Sequence, residues 1–325
     1  MMPLLPCLLA AGLRLGPQAA PQPPVFASGV EAVYLDVFAT TRGRPVTGLT
    51  AADFEVRDND VPQAVSLVDL DRVGVTVALV FDTSGSVVGE KLAQLRAAGH
   101  AFVDGLTERD DALLLTFSQE VLLPVAATRD RDALHRALDR LEARGATAIR
   151  DALYLALRLL PRTGGRPMIV LFTDAEDNLS WLSPEEILTA VRGSDVLVNV
   201  VASEDPRESG PRYQSTLRPP DLLGQEQGAP ATQSWERGAP VKEESTYIQF
   251  LRQVTESTGG ALWTARSSDL PRVFREILAA TRTRYVLSYA PRGVERAGRH
   301  RLKVSVKGRR VDVRARREYV VPPPR

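Results

Sequence analysis

Three apolar runs, Val73 to Phe81, Met168 to Phe172 and Val196 to Ala202, constrain the fold of this chain more than any other feature. Each is strand-length and too continuously apolar to keep one face in water, which is the pattern of a central strand in a parallel sheet covered on both sides. Between the runs, apolar residues return at helical spacing: Leu92, Leu95, Phe102, Val103 and Leu106; then Leu134, Leu138 and Leu141; then Leu153, Leu157 and Leu160. Strand and helix alternate, so residues 72–282 read as an α/β domain with a doubly wound, mostly parallel, Rossmann-like sheet. Residues 203–246 interrupt it with six prolines and four glycines among polar residues, the composition of a disordered surface insert.

Segments of a different character flank this domain. Val33, Leu35, Val37 and Ala39 alternate with Tyr34, Asp36, Phe38 and Thr40, the period of a half-buried strand. Phe54 and Val56 alternate before Asp58-Asn59-Asp60, a turn composition. Near the C-terminus, Tyr285–Tyr289, Leu302/Val304/Val306 and Val311/Val313/Ala315 repeat the style, the last two read as a hairpin closed by Lys307-Gly308-Arg309-Arg310. Neither set holds enough strands for a stable sheet of its own, so residues 25–71 and 283–321 are expected to pair into one small β-sandwich with the α/β domain inserted between them. Residues 1–24, a short apolar run followed by a Pro-rich stretch, read as a signal peptide and linker, implying export to the periplasm or the extracellular space.

Charge and composition exclude several classes. Lys+Arg of 41 against Asp+Glu of 40 leaves a net charge of +1, so neither a nucleic acid nor an anionic membrane is expected as a partner. No apolar run reaches the ~20 residues of a membrane-spanning helix. The single cysteine, Cys7, rules out an intrachain disulfide and a Cys-based zinc centre, and His100, His135 and His300 lie too far apart in sequence to point to a His-rich site. Metal chemistry is therefore expected to use oxygen ligands. Trp181 and Trp263 read as packing residues, and Arg309, Arg310, Arg314, Arg316 and Arg317 mostly as the wet face of an edge strand.

Ligands of open α/β sheets bind beyond the carboxyl ends of strands. Directly after Phe81 comes Asp82-Thr83-Ser84-Gly85-Ser86, a carboxylate and two hydroxyls at alternate positions of a tight turn. Asp174 ends the run from Met168, with Asp177 shortly after, and Thr147 precedes a helix within Gly145-Ala146-Thr147-Ala148-Ile149-Arg150-Asp151. Such hard oxygen donors suit Mg2+, Mn2+ or Ca2+. The same residue types also cap helices, so Asp82, Ser84, Ser86 and Thr147 have a structural reading as well. Asp151 and Asp177 can either orient a metal ligand from behind or be surface acids.

Taken together these residues resemble the von Willebrand factor type A domain, with Asp82, Ser84, Ser86, Thr147 and Asp174 in the places of its metal-ion-dependent adhesion site. The resemblance implies that the two serines and the threonine bind the ion directly, that the acids act through waters, and that one position is left for an Asp or Glu of a partner protein. Mg2+ is the expected ion, with Mn2+ or Ca2+ as alternatives. Arg44-Pro45-Val46-Thr47-Gly48-Leu49-Thr50, Asp53-Phe54-Glu55-Val56, Tyr285–Tyr289 and Val313-Arg314-Ala315-Arg316 are similar to the flanks of the bacterial exported "VWFA-related" family. The expected function is a non-enzymatic adhesion or scaffold module. A metal-dependent phosphotransferase or hydrolase with Asp82 as nucleophile is the competing class, although Ser84 stands where haloacid-dehalogenase-type enzymes place a second Asp. A cytosolic partner of an AAA-type ATPase is a third.

Overall fold

The computed structural model describes residues 32–68, 74–160, 166–174, 177–203, 246–295 and 297–321. The signal-peptide reading of 1–24 lies outside the described residues, as does the insert reading apart from its end residues Ser203 and Thr246.

In chain order the first strands are β1 (Val33–Thr41), β2 (Arg44–Pro45), β3 (Phe54–Asp58), β4 (Val61–Gln63) and β5 (Ser66–Leu67). The α/β part follows with β6 (Val75–Asp82), α1 (Glu90–Asp104), β7 (Asp111–Phe117), β8 (Val121–Thr128), α2 (Arg131–Asp139), α3 (Ile149–Leu159) and β9 (Arg166–Thr173). It continues through α4 (Pro184–Arg192), β10 (Leu197–Ser203), α5 (Thr246–Thr258), β11 (Leu262–Ala265) and α6 (Leu270–Arg282). The last strands are β12 (Tyr285–Tyr289), β13 (Gly298–Val306), β14 (Asp312–Arg314) and β15 (Glu318–Val321).

The central sheet has the order β11-β10-β9-β6-β7-β8, parallel throughout except for the edge strand β8, which runs antiparallel to β7. Every residue of β6 is buried because helices cover both faces. On one face, α1, α2 and α6 pack around Phe81, Phe102 and Phe274, whose rings meet edge to face at 5.7 and 6.3 Å. On the other, α3, α4 and α5 cover Val80, Leu115 and Leu171. The chain passes from β6 to β7 on one side and later returns to β9 on the other, so the crevice between the carboxyl ends of β6 and β9 is a topological switch point. The sequence reading missed the β7–β8 pair; the Leu113–Leu115 run marked β7, but β8 alternates weakly and contains Pro124, which an edge strand tolerates.

The flanks form two further sheets, β14-β1-β12-β5 with β2 beside β1, and β15-β13-β3-β4. β1 pairs antiparallel with β12, Val33 opposite Tyr289 and Val37 opposite Tyr285, so the two ends of the described chain meet in one sheet. Val33, Leu35, Val37 and Ala39 turn inward against Phe54, Val56, Leu302 and Val306. The Lys307–Arg310 link is not a hairpin: β13 pairs with β3 and β15, while β14 pairs with β1 in the opposite sheet, so this stretch crosses between sheets. Arg316 is not a wet-face residue either. It is buried, with Nη1 on Asp195 at 2.6 Å and Nη2 on the Tyr34 carbonyl at 2.8 Å.

Asp36 of β1 fastens the sandwich to the α/β domain, accepting from Arg166 Nη2 at 2.8 Å and Arg284 Nε at 2.6 Å. Burial would raise its carboxyl, but the two guanidiniums hold it below the ordinary carboxylate value. Arg284 also donates to the Gly259 carbonyl at 2.7 Å. Gly259, at φ +78°, has no room for a side chain, since a Cβ there would lie 2.7 Å from the Ala315 carbonyl carbon.

Candidate metal centre

β6 and β9 end side by side; Asp82 is the last residue of β6 and Asp174 directly follows β9. Asp82 is fully buried; its Oδ1 accepts from the Ser84 amide at 2.9 Å and its Oδ2 from the Thr173 hydroxyl at 2.7 Å. The first bond bends the chain back after the strand and aims Ser84 and Ser86 at the same point, their hydroxyl oxygens 3.0 Å apart. Ser86 Oγ donates to Asp174 Oδ1 at 2.6 Å. Asp82, Ser84, Ser86 and Asp174 thus share one polar cluster at the carboxyl edge of the sheet.

Thr147 lies in the adjoining turn. Gly85 donates to the Gly145 carbonyl at 2.9 Å and the Arg144 amide to the Thr83 carbonyl at 2.8 Å, which clamps that turn against the serine loop. Gly145, at φ +83°, gives the turn its left-handed residue. Thr147 is buried and its amide donates to Asn178 Oδ1 at 2.9 Å, but its hydroxyl is absent from the bonds that link the other four.

Asp151 and Asp177 do not touch that cluster. Asp177 binds Arg150 at 3.1 Å and the Ser180 hydroxyl at 2.6 Å, and Asp151 accepts the Trp181 and Leu182 amides at 3.0 and 3.1 Å. Both acids brace the 177–182 loop, whose Asn178 and Leu179 amides in turn hold the Thr147 carbonyl at 3.1 Å. The same loop presents Trp181, which is 96% exposed and so is no packing residue, whereas Trp263 does pack against the core. Leu179 and Val88, two residues beyond Ser86, are also exposed.

Lys91, in the first turn of α1, escaped the sequence reading. Its ammonium sits 2.8 Å from Asp174 Oδ2 and 3.4 Å from the Ser86 carbonyl, with both side chains enclosed. A cation in the first turn opposes the helix dipole, and that anomaly was the available signal. Burial pushes the Asp82 carboxyl up to about 6; the Ser84 and Thr173 bonds restrain the rise and the neighbouring Asp174 adds to it. Two carboxylates and the Ser84 and Ser86 hydroxyls make an oxygen set that suits a hard divalent cation, and the Lys91 ammonium, which cannot ligate a metal, neutralises part of its charge.

Residues 77–176 match the von Willebrand factor type A domain family. The bovine inter-alpha-trypsin inhibitor heavy chain H4 is 30% identical over 136 residues, which cover 38% of this chain and only 15% of the relative's length. Its human counterpart is 32% identical over 130 residues, 36% of this chain and 14% of the relative. Among solved structures, a von Willebrand factor type A protein from Catenulispora acidiphila aligns with a TM-score of 0.48 at 14% identity, covering 83% of this chain and 74% of that one. Proximal thread matrix protein 1 from the mussel byssus, with a zinc-occupied MIDAS motif, also aligns at 0.48, with 16% identity over 69% of this chain and 49% of that one. Domains of this family are protein-interaction modules that often carry a metal site. Among the described residues no helix is long and apolar enough to cross a membrane. Residues 77–176, from β6 to just beyond β9, are thus the part of the α/β domain that matches the von Willebrand factor type A family.

Proposed function

We propose that this chain is a protein-binding module whose ligand-capturing element is a divalent cation, Mg2+ in the first instance, held by Ser84, Ser86 and Thr147, with Asp82 and Asp174 acting behind them. The observation that carries this reading is the Asp82–Ser84–Ser86–Asp174 cluster at the switch point with an ammonium already against its acid. Such a cation attracts the carboxylate of an incoming Asp or Glu. The exposed Val88, two residues beyond Ser86, and the exposed Leu179 and Trp181, on the loop that holds the Thr147 carbonyl, offer apolar contact to residues beside that carboxylate, and an exposed Trp is a common anchor in protein interfaces. The partner segment is thus an acidic side chain flanked by apolar ones.

The binding reading is favoured over the hydrolase because Asp82 is fully enclosed and both its oxygens are engaged, leaving no approach for a phosphoryl or acyl centre. Calorimetric titration of the metal-free chain with Mg2+, Mn2+ and Ca2+ is the test. One saturable site should appear and be lost in Ser84→Ala/Ser86→Ala, with the melting temperature in chelator unchanged. Equal binding in parent and variant would remove the proposal.

A further inference from the structure

His100 and His135 are 35 residues apart in sequence, too distant for a local motif, yet the fold brings their rings together. They face each other across the α1–α2 contact with Nδ1 atoms 2.6 Å apart and ring planes 17° from parallel. The remaining nitrogens are held crosswise. His100 Nε2 meets Asp139 Oδ1 of α2 at 2.9 Å, and His135 Nε2 meets Asp104 Oδ1 of α1 at 3.2 Å. Each histidine is thus served by the carboxylate of the opposite helix.

Proton counting makes this arrangement incomplete. The contacts Asp139–His100, His100–His135 and His135–Asp104 need three protons as hydrogen bonds, and two neutral imidazoles bring two. With each Nε2–H donated to its carboxylate, two Nδ1 lone pairs confront each other. A third proton or a metal ion between them would remove the conflict. Carboxylate-oriented imidazoles whose other nitrogens are free form the usual environment of a metal-bound histidine.

We propose that His100 and His135 form a second metal site, separate from the oxygen cluster, for a borderline transition metal such as Zn2+, Ni2+ or Cu2+ that prefers imidazole to oxygen. The ring centroids are 4.9 Å apart, so the two Nδ1 atoms point head-on, and two metal–nitrogen bonds of ~2.0–2.1 Å require the rings to part by roughly 1.5 Å. The side chains are 31% and 26% exposed, which gives the ion access and leaves its other positions to water. The two facing Nδ1 atoms are the protein ligands of this site; among the described residues no group of three or more His, Cys, Asp or Glu is placed to hold a metal ion. A bound ion would pin α1, the helix that carries Lys91, to α2.

The test is titration of the metal-stripped full chain with zinc chloride against a chromophoric chelator, carried out in an Asp82→Ala/Ser86→Ala background so that the oxygen cluster contributes nothing. One equivalent of zinc should bind, raise the melting temperature, and be indifferent to excess Mg2+. His100→Ala and His135→Ala should each weaken it by at least ~10-fold, with His100→Gln as a check that folding is intact by its melting curve without metal. Zinc binding that is unchanged in the histidine variants would overturn the proposal. So would no zinc binding in the background, which would leave a shared proton as the occupant. Neither result would bear on the Mg2+ reading, which is tested on the other cluster.

Discussion

The sandwich and the α/β domain each bury an aspartate completely, and they treat it in opposite ways. In the sandwich, Asp58 accepts from Tyr289 at 2.9 Å and Tyr319 at 2.7 Å through Oδ2, and pairs with His300 Nδ1 at 2.9 Å through Oδ1. Its neighbours are donors, and the tyrosine hydroxyls are themselves pushed up by burial and by this company, so they stay protonated. In the α/β domain, Asp82 has one amide and one hydroxyl, with Asp174 close enough to oppose its ionisation. Burial is common to both and says nothing of function. The first carboxylate is closed off by donors, whereas the second stands behind hydroxyls that still have lone pairs to give.

The comparison breaks most visibly at Asp58. Asp58→Ala strands two buried hydroxyls and an imidazole, and chemical denaturation should show a loss of ~3–5 kcal/mol. Asp82→Asn should stay within ~1 kcal/mol of the parent in chelator while losing its response to Mg2+. A loss as large as that at Asp58 would mean the two acids play the same structural part.

A smaller effect than at Asp58 is expected at Asp36, which Arg166 and Arg284 satisfy. Its folded pKa lies below the unfolded one, so its stabilisation is full above the ordinary carboxylate range and fades as pH falls through the folded value. Asp36→Asn should cost roughly 1–3 kcal/mol at neutral pH and flatten the acid limb of a stability-versus-pH curve. An unchanged limb would remove Asp36 as the fastening acid.

Lys91→Met sharpens the contrast at the rim. Removing an ammonium 2.8 Å from Asp174 should tighten Mg2+ binding ~5–10-fold by calorimetry. Weaker binding would make Lys91 the group that positions Asp174. Least of all should Trp181→Ala disturb the fold, shifting stability by under ~0.5 kcal/mol and leaving the Mg2+ isotherm alone, because the ring touches solvent.

Much of this was legible in the sequence, and the limits have physical causes. β6 and β9 could be read because strands buried on both faces have no polar alternation to blur them. The serine turn was readable because its residues are local and bond across two positions. By sequence Asp58 is a turn residue beside Asn59 and Asp60, which do adopt φ of +46° and +66°, but its partners come from residues 289, 300 and 319. No local pattern encodes such a meeting. The same holds for His100 with His135, and for the 307–311 crossing, where two alternating runs that looked like neighbours belong to different sheets.

The pairing of Ser66 and Leu67 with Ser288 and Leu287, extended by the Val68 amide on the Val286 carbonyl at 2.8 Å, has a kinetic consequence. Closing that ladder early would tie off a very long floppy loop, at an entropic cost that grows with loop length. Once the intervening segment has collapsed into its own compact body, its two ends already lie side by side and the cost is gone. Refolding followed by a probe in β1 should therefore lag behind one placed in β6, with the outer strands zipping shut last.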